Sequence, residues 1–96
     1  MAEENLRKAL KDFGLTDLEV EIYLLLSKHG ASNGADVAHS LRKDKAQIFR
    51  TLKNLQTKGF VEATLEVPTR FAPVAFKKVL ESTIKAKKDE AARIED

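Results

Sequence analysis

The stretch DKAQIFRTLKNLQTKGF, residues 44–60, decides how the chain is read. Asp44 is a residue type that accepts a hydrogen bond from the open amides of a helix start, and Gln47, three residues on, completes the pattern of a capping box. Ile48, Leu52 and Leu55 then recur at three- and four-residue steps with Phe49 beside them, so these four are expected in the core. The reverse flank carries Ala46, Gln47, Arg50, Lys53, Asn54 and Thr57, and Gly59 offers the left-handed backbone on which a helix stops. Six side chains between 42 and 58 are basic and one is acidic. The question is whether that cationic flank faces only water or a polyanion.

Working outward, the 96 residues suffice for one domain, here expected over 1–96, with a small core. Hydrophobic residues make up 43% and charged residues 33%, the balance of a globular chain, and the longest apolar run, IYLLL at 22–26, is far too short to span a bilayer. No membrane partner is expected. The N-terminus lacks the apolar run and small-residue cleavage site of a secretory signal, so the expected location is the cytoplasm. Without cysteine there is no disulfide, thiolate metal site or thiol nucleophile. The net charge of +2 is unevenly spread: −3 over residues 1–36, +4 over 37–73 and +1 over 74–96. A positive middle between more neutral flanks suggests a polyanionic partner for that middle.

Before the opening stretch, Leu6, Ala9, Leu10 and Phe13 lie at helical spacing and stop at Gly14, which predicts a first helix over 4–13. TDLE at 16–19 has the pattern of a capping box, and a second helix over 16–28 follows, apolar nearly all round and therefore central. Ser32 or Asn33 can cap a short third helix over 33–41, whose inward face is Val37, Ala38 and Leu41. Only RKD, 42–44, separates it from the fourth helix, expected over 45–58.

After Gly59 the period changes. Two short runs rich in β-branched and aromatic residues, 60–64 and 69–73, flank LEVP, and Pro68 and Pro73 exclude a helix, so a hairpin is expected over 60–73. Helical spacing returns for a last helix over 75–94, along which Leu80, Ile84, Lys87, Ala91 and Ile94 form a seam with heptad-like steps. Nothing else in the chain is left to cover that seam, which predicts a homodimer through it. Three helices, a tight link between the second and third members of the helical core, and then a hairpin give the order of a winged helix-turn-helix. The expected class is mainly α with a small β-hairpin and a long C-terminal helix.

Three segments also carry a family resemblance: FGLTDLEVEIYLLLSKHGASNGADVA, IFRTLKNLQTKGFVEA and VPTRFAPV. In order and spacing they resemble the N-terminal DNA-binding domain of the TrmB family of archaeal sugar-responsive transcription regulators, over residues 6 to about 84. The resemblance implies a winged-helix fold that binds operator DNA as a dimer and serves transcriptional control. Three positions depart from the family pattern: Lys43 stands where an apolar residue is usual, Phe49 where a tyrosine is usual, and the wing tip LEVPTR lacks the customary glycine and paired basic residues. These departures concern the wing's contact with DNA more than the fold. Full-length members add a C-terminal sugar-sensing domain, and this chain stops before one begins; no small-molecule effector is indicated within it.

In such a fold the fourth helix enters the major groove of double-stranded DNA. Arginine can bond O6 and N7 of guanine together, and glutamine or asparagine N6 and N7 of adenine, so Gln47, Arg50, Lys53 and Asn54, with Ala46 small enough for close approach, are the expected base readers. Arg42, Lys43, Lys45, Lys58 and, from the wing, Arg70 are expected on phosphates. Dimer contacts are expected from Leu80, Ile84, Lys87, Ala91 and Ile94. His29 and His39 lack spaced carboxylates and read as structural, so no metal and no cofactor are expected. Nor is an enzyme: the glycines, at 14, 30, 34 and 59, fall at helix ends rather than in a phosphate loop, and no nucleophile sits beside a base by motif. The competing function is a winged helix used as a protein-protein interaction module of a larger assembly, against which the cationic fourth helix weighs.

Overall fold

A computed structural model describes residues 2–83 of the chain. In order these form α1 (Ala2–Phe13), α2 (Asp17–His29), β1 (Ser32–Asn33), α3 (Gly34–Leu41), α4 (Lys45–Thr57), β2 (Val61–Ala63), β3 (Arg70–Pro73) and α5, helical over 76–83. The three strands make one antiparallel sheet in the order β1-β3-β2, with Ser32 opposite Phe71 on one side and Val61 opposite Pro73 on the other. This is a mainly helical winged-helix fold. The hairpin of the sequence reading is present, and β1 is an addition to it: two residues are too few to show a strand period.

Local chemistry sets each helix start. Thr16 and Glu19 form both halves of a capping box at α2, with Glu19 N–H donating to Thr16 Oγ1 at 3.2 Å and Thr16 N–H to Glu19 Oε1 at 2.8 Å. Asn33, not Ser32, caps α3 by accepting from the Asp36 amide at 2.8 Å. Asp44 caps α4 by accepting from the Gln47 amide at 3.2 Å; the return bond of a full box is not made, which leaves the Gln47 carboxamide without a partner among the described residues.

Three helices end on one pattern. At α1, Leu15 N–H donates to Leu10 carbonyl at 3.1 Å around Gly14 at φ +114°; at α4, Phe60 N–H donates to Leu55 carbonyl at 2.9 Å around Gly59 at φ +84°. At α3, Lys43 N–H donates to Ala38 carbonyl at 3.0 Å around Arg42, among the described residues the one non-glycine with positive φ, at +54°. In each, the left-handed residue turns the chain so that an otherwise unpaired carbonyl of the last turn is satisfied.

The core lies where α2 and α4 meet the sheet. Ile22, Leu26, Ile48, Leu52, Leu55 and Phe60 are fully buried, each contributing about 1.5–3 kcal/mol of burial free energy. Phe60 is its hub: Phe13 and Tyr23 stand edge-on to it with centroids at 5.4 Å, and Phe76 of α5 stacks at 6.0 Å. Burial pushes the Tyr23 phenol above its ordinary pKa, and its hydroxyl donates to Val74 carbonyl at 2.6 Å, holding the chain leaving the wing against α2. Phe49 corrects the sequence reading. It is 42% exposed, and its ring lies on Gly34 at the start of α3, where any Cβ would approach it to 2.6 Å. Glycine at 34 is therefore a matter of close approach between α3 and α4. Of the expected seam, Leu80 is exposed on α5, whereas Ile84, Lys87, Ala91 and Ile94, and the greater length of the last helix, lie outside the described residues.

Candidate nucleic-acid interface

The burial pattern of α4 separates two flanks. Ile48, Thr51, Leu52 and Leu55 are buried, and Thr51 satisfies its hydroxyl by donating to Gln47 carbonyl at 2.8 Å, which lets a polar residue sit in the apolar stripe. Ala46, Gln47, Arg50, Lys53 and Asn54 are all exposed, and the side chains of the last four have no hydrogen-bond or ion-pair partner among the described residues. One turn separates Gln47 from Arg50 and Arg50 from Asn54, so three groups able to make paired hydrogen bonds project along a single ridge.

A cationic margin adjoins that ridge. Arg42, Lys43 and Lys45 are exposed and line, together with Ala35, Ala38 and His39, a shallow hollow between α3 and the start of α4. His39, which reads from the sequence as structural, is exposed at this margin; its place three residues before Arg42, on the last turn of α3, is the signal that connects it to these cations. Local folding builds this margin: the left-handed Arg42 reverses the chain within one residue, and Asp44 at once starts α4. Asp44, the one acid of the 42–44 link, is used by the Gln47 amide.

Several cations elsewhere are engaged. Arg7 pairs with Glu3 and Glu21, and Lys11 with Asp17 at 2.7 Å, which holds the Asp17 carboxyl below its usual pKa through the Lys11 hydrogen bond. In the wing, Arg70 Nε lies 3.5 Å from Glu66 Oε2, and the hairpin neck closes where Thr64 N–H donates to Arg70 carbonyl at 2.8 Å and Arg70 N–H to Thr64 Oγ1 at 3.1 Å. The tip beyond that neck exposes Leu65 and Val67 completely.

Lys58 departs from its expected place among the phosphate contacts. Its ammonium donates to Glu19 Oε1 at 2.7 Å and to Gly14 carbonyl at 3.2 Å, so two of its three donors point into the protein. Glu19 has a side chain 2% exposed. Burial pushes its carboxyl pKa up, but the Lys58 ammonium and the Thr16 amide outweigh burial and leave it below the ordinary value. Withdrawing Lys58 leaves a buried carboxylate uncompensated, at a cost of about 3 kcal/mol, the low end for buried pairs because Lys58 itself is 39% exposed. The sequence held a signal for this: Glu19, Ile22, Tyr23 and Leu26 share the inward stripe of α2, so an acid stands where the spacing asks for an apolar residue.

Among the described residues no cluster of three or more His, Asp or Glu is arranged to hold a metal, and no helix is long and apolar enough to cross a membrane.

A family model described as "Sugar-specific transcriptional regulator TrmB" matches residues 10–77. The HTH-type sugar sensing transcriptional regulator TrmBL1 of Pyrococcus furiosus is 38% identical over 81 residues, covering 84% of this chain but only 24% of the relative. This chain thus spans about a quarter of that protein's length. Among solved structures, TrmBL2, described as an archaeal chromatin protein with a novel mode of DNA binding, aligns with a TM-score of 0.74 at 22% identity, covering 95% of this chain and 36% of that one. The ST1889 protein of Sulfolobus tokodaii aligns at 0.71 and 20% identity over 99% and 96% of the two chains. At these identities the solved structures speak for the winged-helix fold, whereas the family match covers most of the sequence: the chain belongs to the TrmB family of transcriptional regulators.

Proposed function

We propose that this chain is the sequence-specific, double-stranded-DNA-binding domain of a transcription regulator, with α4 in the major groove. One observation carries the reading: Gln47, Arg50, Lys53 and Asn54 form an exposed ridge without partners among the described residues, bordered by Arg42, Lys43 and Lys45. The ridge, with Ala46, reads bases; the border and the first-turn amides of α4 hold phosphates. The transcriptional role described for TrmBL1 supports the same function here. Arg70 serves as a wing contact only when it leaves Glu66.

The domain acts as a homodimer that presents two α4 helices about one DNA turn apart. Exposed Leu80 on α5 supports an interface there, with Ile84, Lys87, Ala91 and Ile94 as its proposed continuation. Sedimentation at high micromolar concentration tests this; a monomer refutes it.

Selection of bound duplexes from a random pool tests the DNA reading. Arg50→Ala is expected to weaken the selected duplex by about 1–3 kcal/mol and to relax preference at one position, with little effect on random duplex. Equal loss on both duplexes at one salt concentration defeats the assignment. A second reading, a protein-protein interaction module, is favoured by the wing tip, where Leu65 and Val67 are fully exposed beside a neutralised Glu66–Arg70 pair. Absence of duplex binding even at low salt selects it.

A further inference from the structure

The two ends of α4 are held by different means. Its start follows the three-residue link from α3, whereas its end, which runs through Gly59 into the buried Phe60, is fastened in addition through Lys58, the C-cap residue, to Gly14 carbonyl and to Glu19 Oε1. The same Glu19 oxygen accepts the Thr16 amide at 2.8 Å. The α1–α2 turn, the first turn of α2 and the last turn of α4 therefore converge on one buried carboxylate.

Packing of Ile48, Leu52 and Leu55 sets the depth of α4 in the core but constrains its roll weakly, because apolar attraction is non-directional. A charge-assisted hydrogen bond is short and directional. Attached at the helix rim, it opposes roll. The lever is small but sufficient: a roll of about 10° moves a side-chain tip ~6 Å from the axis by ~1 Å. A paired hydrogen bond to a base edge does not survive such a shift intact, whereas a contact to a phosphate readjusts along a flexible lysine stem.

We propose that the Glu19–Lys58 pair positions α4 for sequence readout: Lys58 acts through the orientation of Gln47, Arg50 and Asn54, not by touching DNA. The proposal rests on the DNA-binding reading above. It assigns to two residues outside the exposed ridge a share in specificity rather than in overall affinity.

The test compares wild type, Lys58→Met, Lys58→Arg, Glu19→Gln and the Glu19→Gln/Lys58→Met double variant, each at a temperature where circular dichroism shows full folding. Affinity is measured across a salt series for the duplex selected by the wild type and for a random duplex. Lys58→Met is expected to lower the ratio of the two affinities by about fivefold to a hundredfold, the worth of one paired base contact, with the salt slope on random duplex unchanged. Glu19→Gln lowers the ratio too, Lys58→Arg restores it, and Lys58→Met adds little in the Glu19→Gln background. A purely structural role scales both affinities alike and leaves the ratio intact, which overturns the proposal. So does a salt slope reduced by about 0.9 with equal loss on both duplexes, since that is the signature of a lysine on a phosphate. Residual dipolar couplings on the DNA-free proteins give an independent reading: the rotation of α4 about its own axis relative to α2, read from the phase of the amide couplings along the helix, is expected to change in Lys58→Met, and an unchanged rotation overturns the positioning role. A wild type that enriches no duplex while the rotation of α4 does change in Lys58→Met defeats the DNA-binding reading and leaves the mechanical tie standing.

Discussion

The ends of α4 and α3 use the same hydrogen-bond closure and fill it with opposite chemistry. At α4 the left-handed position is Gly59 and the next residue, Phe60, is the hub of the aromatic core. At α3 the left-handed position is Arg42 and the next residue is Lys43, both exposed. An L-residue in left-handed backbone costs roughly 1 kcal/mol relative to glycine, and an exposed lysine forgoes the burial that the following residue usually gains. The end of α3 therefore gives up stability at two consecutive positions and places two cations beside the exposed ridge of α4. The end of α4 is built to hold the fold, and the end of α3 to meet something outside it.

The contrast breaks if the two ends respond alike to substitution. Phe60→Ala removes a fully buried ring that touches Phe13, Tyr23 and Phe76, and is expected to destabilise by about 3–5 kcal/mol in urea unfolding. A loss below about 1 kcal/mol removes Phe60 from the centre of the core. Gly59→Ala meets no atom within 4 Å, so its effect isolates backbone strain at φ +84°: about 1–2 kcal/mol lost, read from the same urea midpoint. The mirror experiment is Arg42→Gly. Relief of left-handed strain, offset by the greater freedom of glycine in the unfolded chain, predicts a gain of less than about 1 kcal/mol, together with weaker binding to every duplex. A variant that gains stability and keeps full affinity shows that Arg42 has no external role.

How much of this was legible beforehand depended on whether the cause was local. The apolar stripe of α4, the caps at Thr16 and Asp44 and the glycines at 14 and 59 act within a turn of their own position, and they sufficed for the winged-helix class. Long-range causes were not legible. Phe49 sits at the border of the stripe, and only the approach of Gly34 from another helix decides that its ring is half outside. β1 exists because Ser32 and Asn33 run beside Phe71 and Arg70, a pairing no local period announces. Lys58 looked like one more cation of a basic run until a carboxylate 39 residues away claimed it. Charge read along a sequence gives the sign of a region; only tertiary pairing shows which of its charges remain free.

Lys43 is where the comparison has its smallest and sharpest consequence. Its amide makes the closing bond to Ala38 carbonyl, and that bond belongs to the backbone, so Lys43→Ala keeps it. The side chain is exposed and has no partner among the described residues. Stability is therefore expected to stay within about 0.5 kcal/mol of wild type. If the ammonium rests on a phosphate, affinity falls for selected and random duplexes by the same factor, and the salt slope of log K drops by about 0.9. A shift in stability with no change in slope would mean that Lys43 serves the turn, as Leu15 does at the end of α1 and Phe60 at the end of α4, and that the three ends are alike after all.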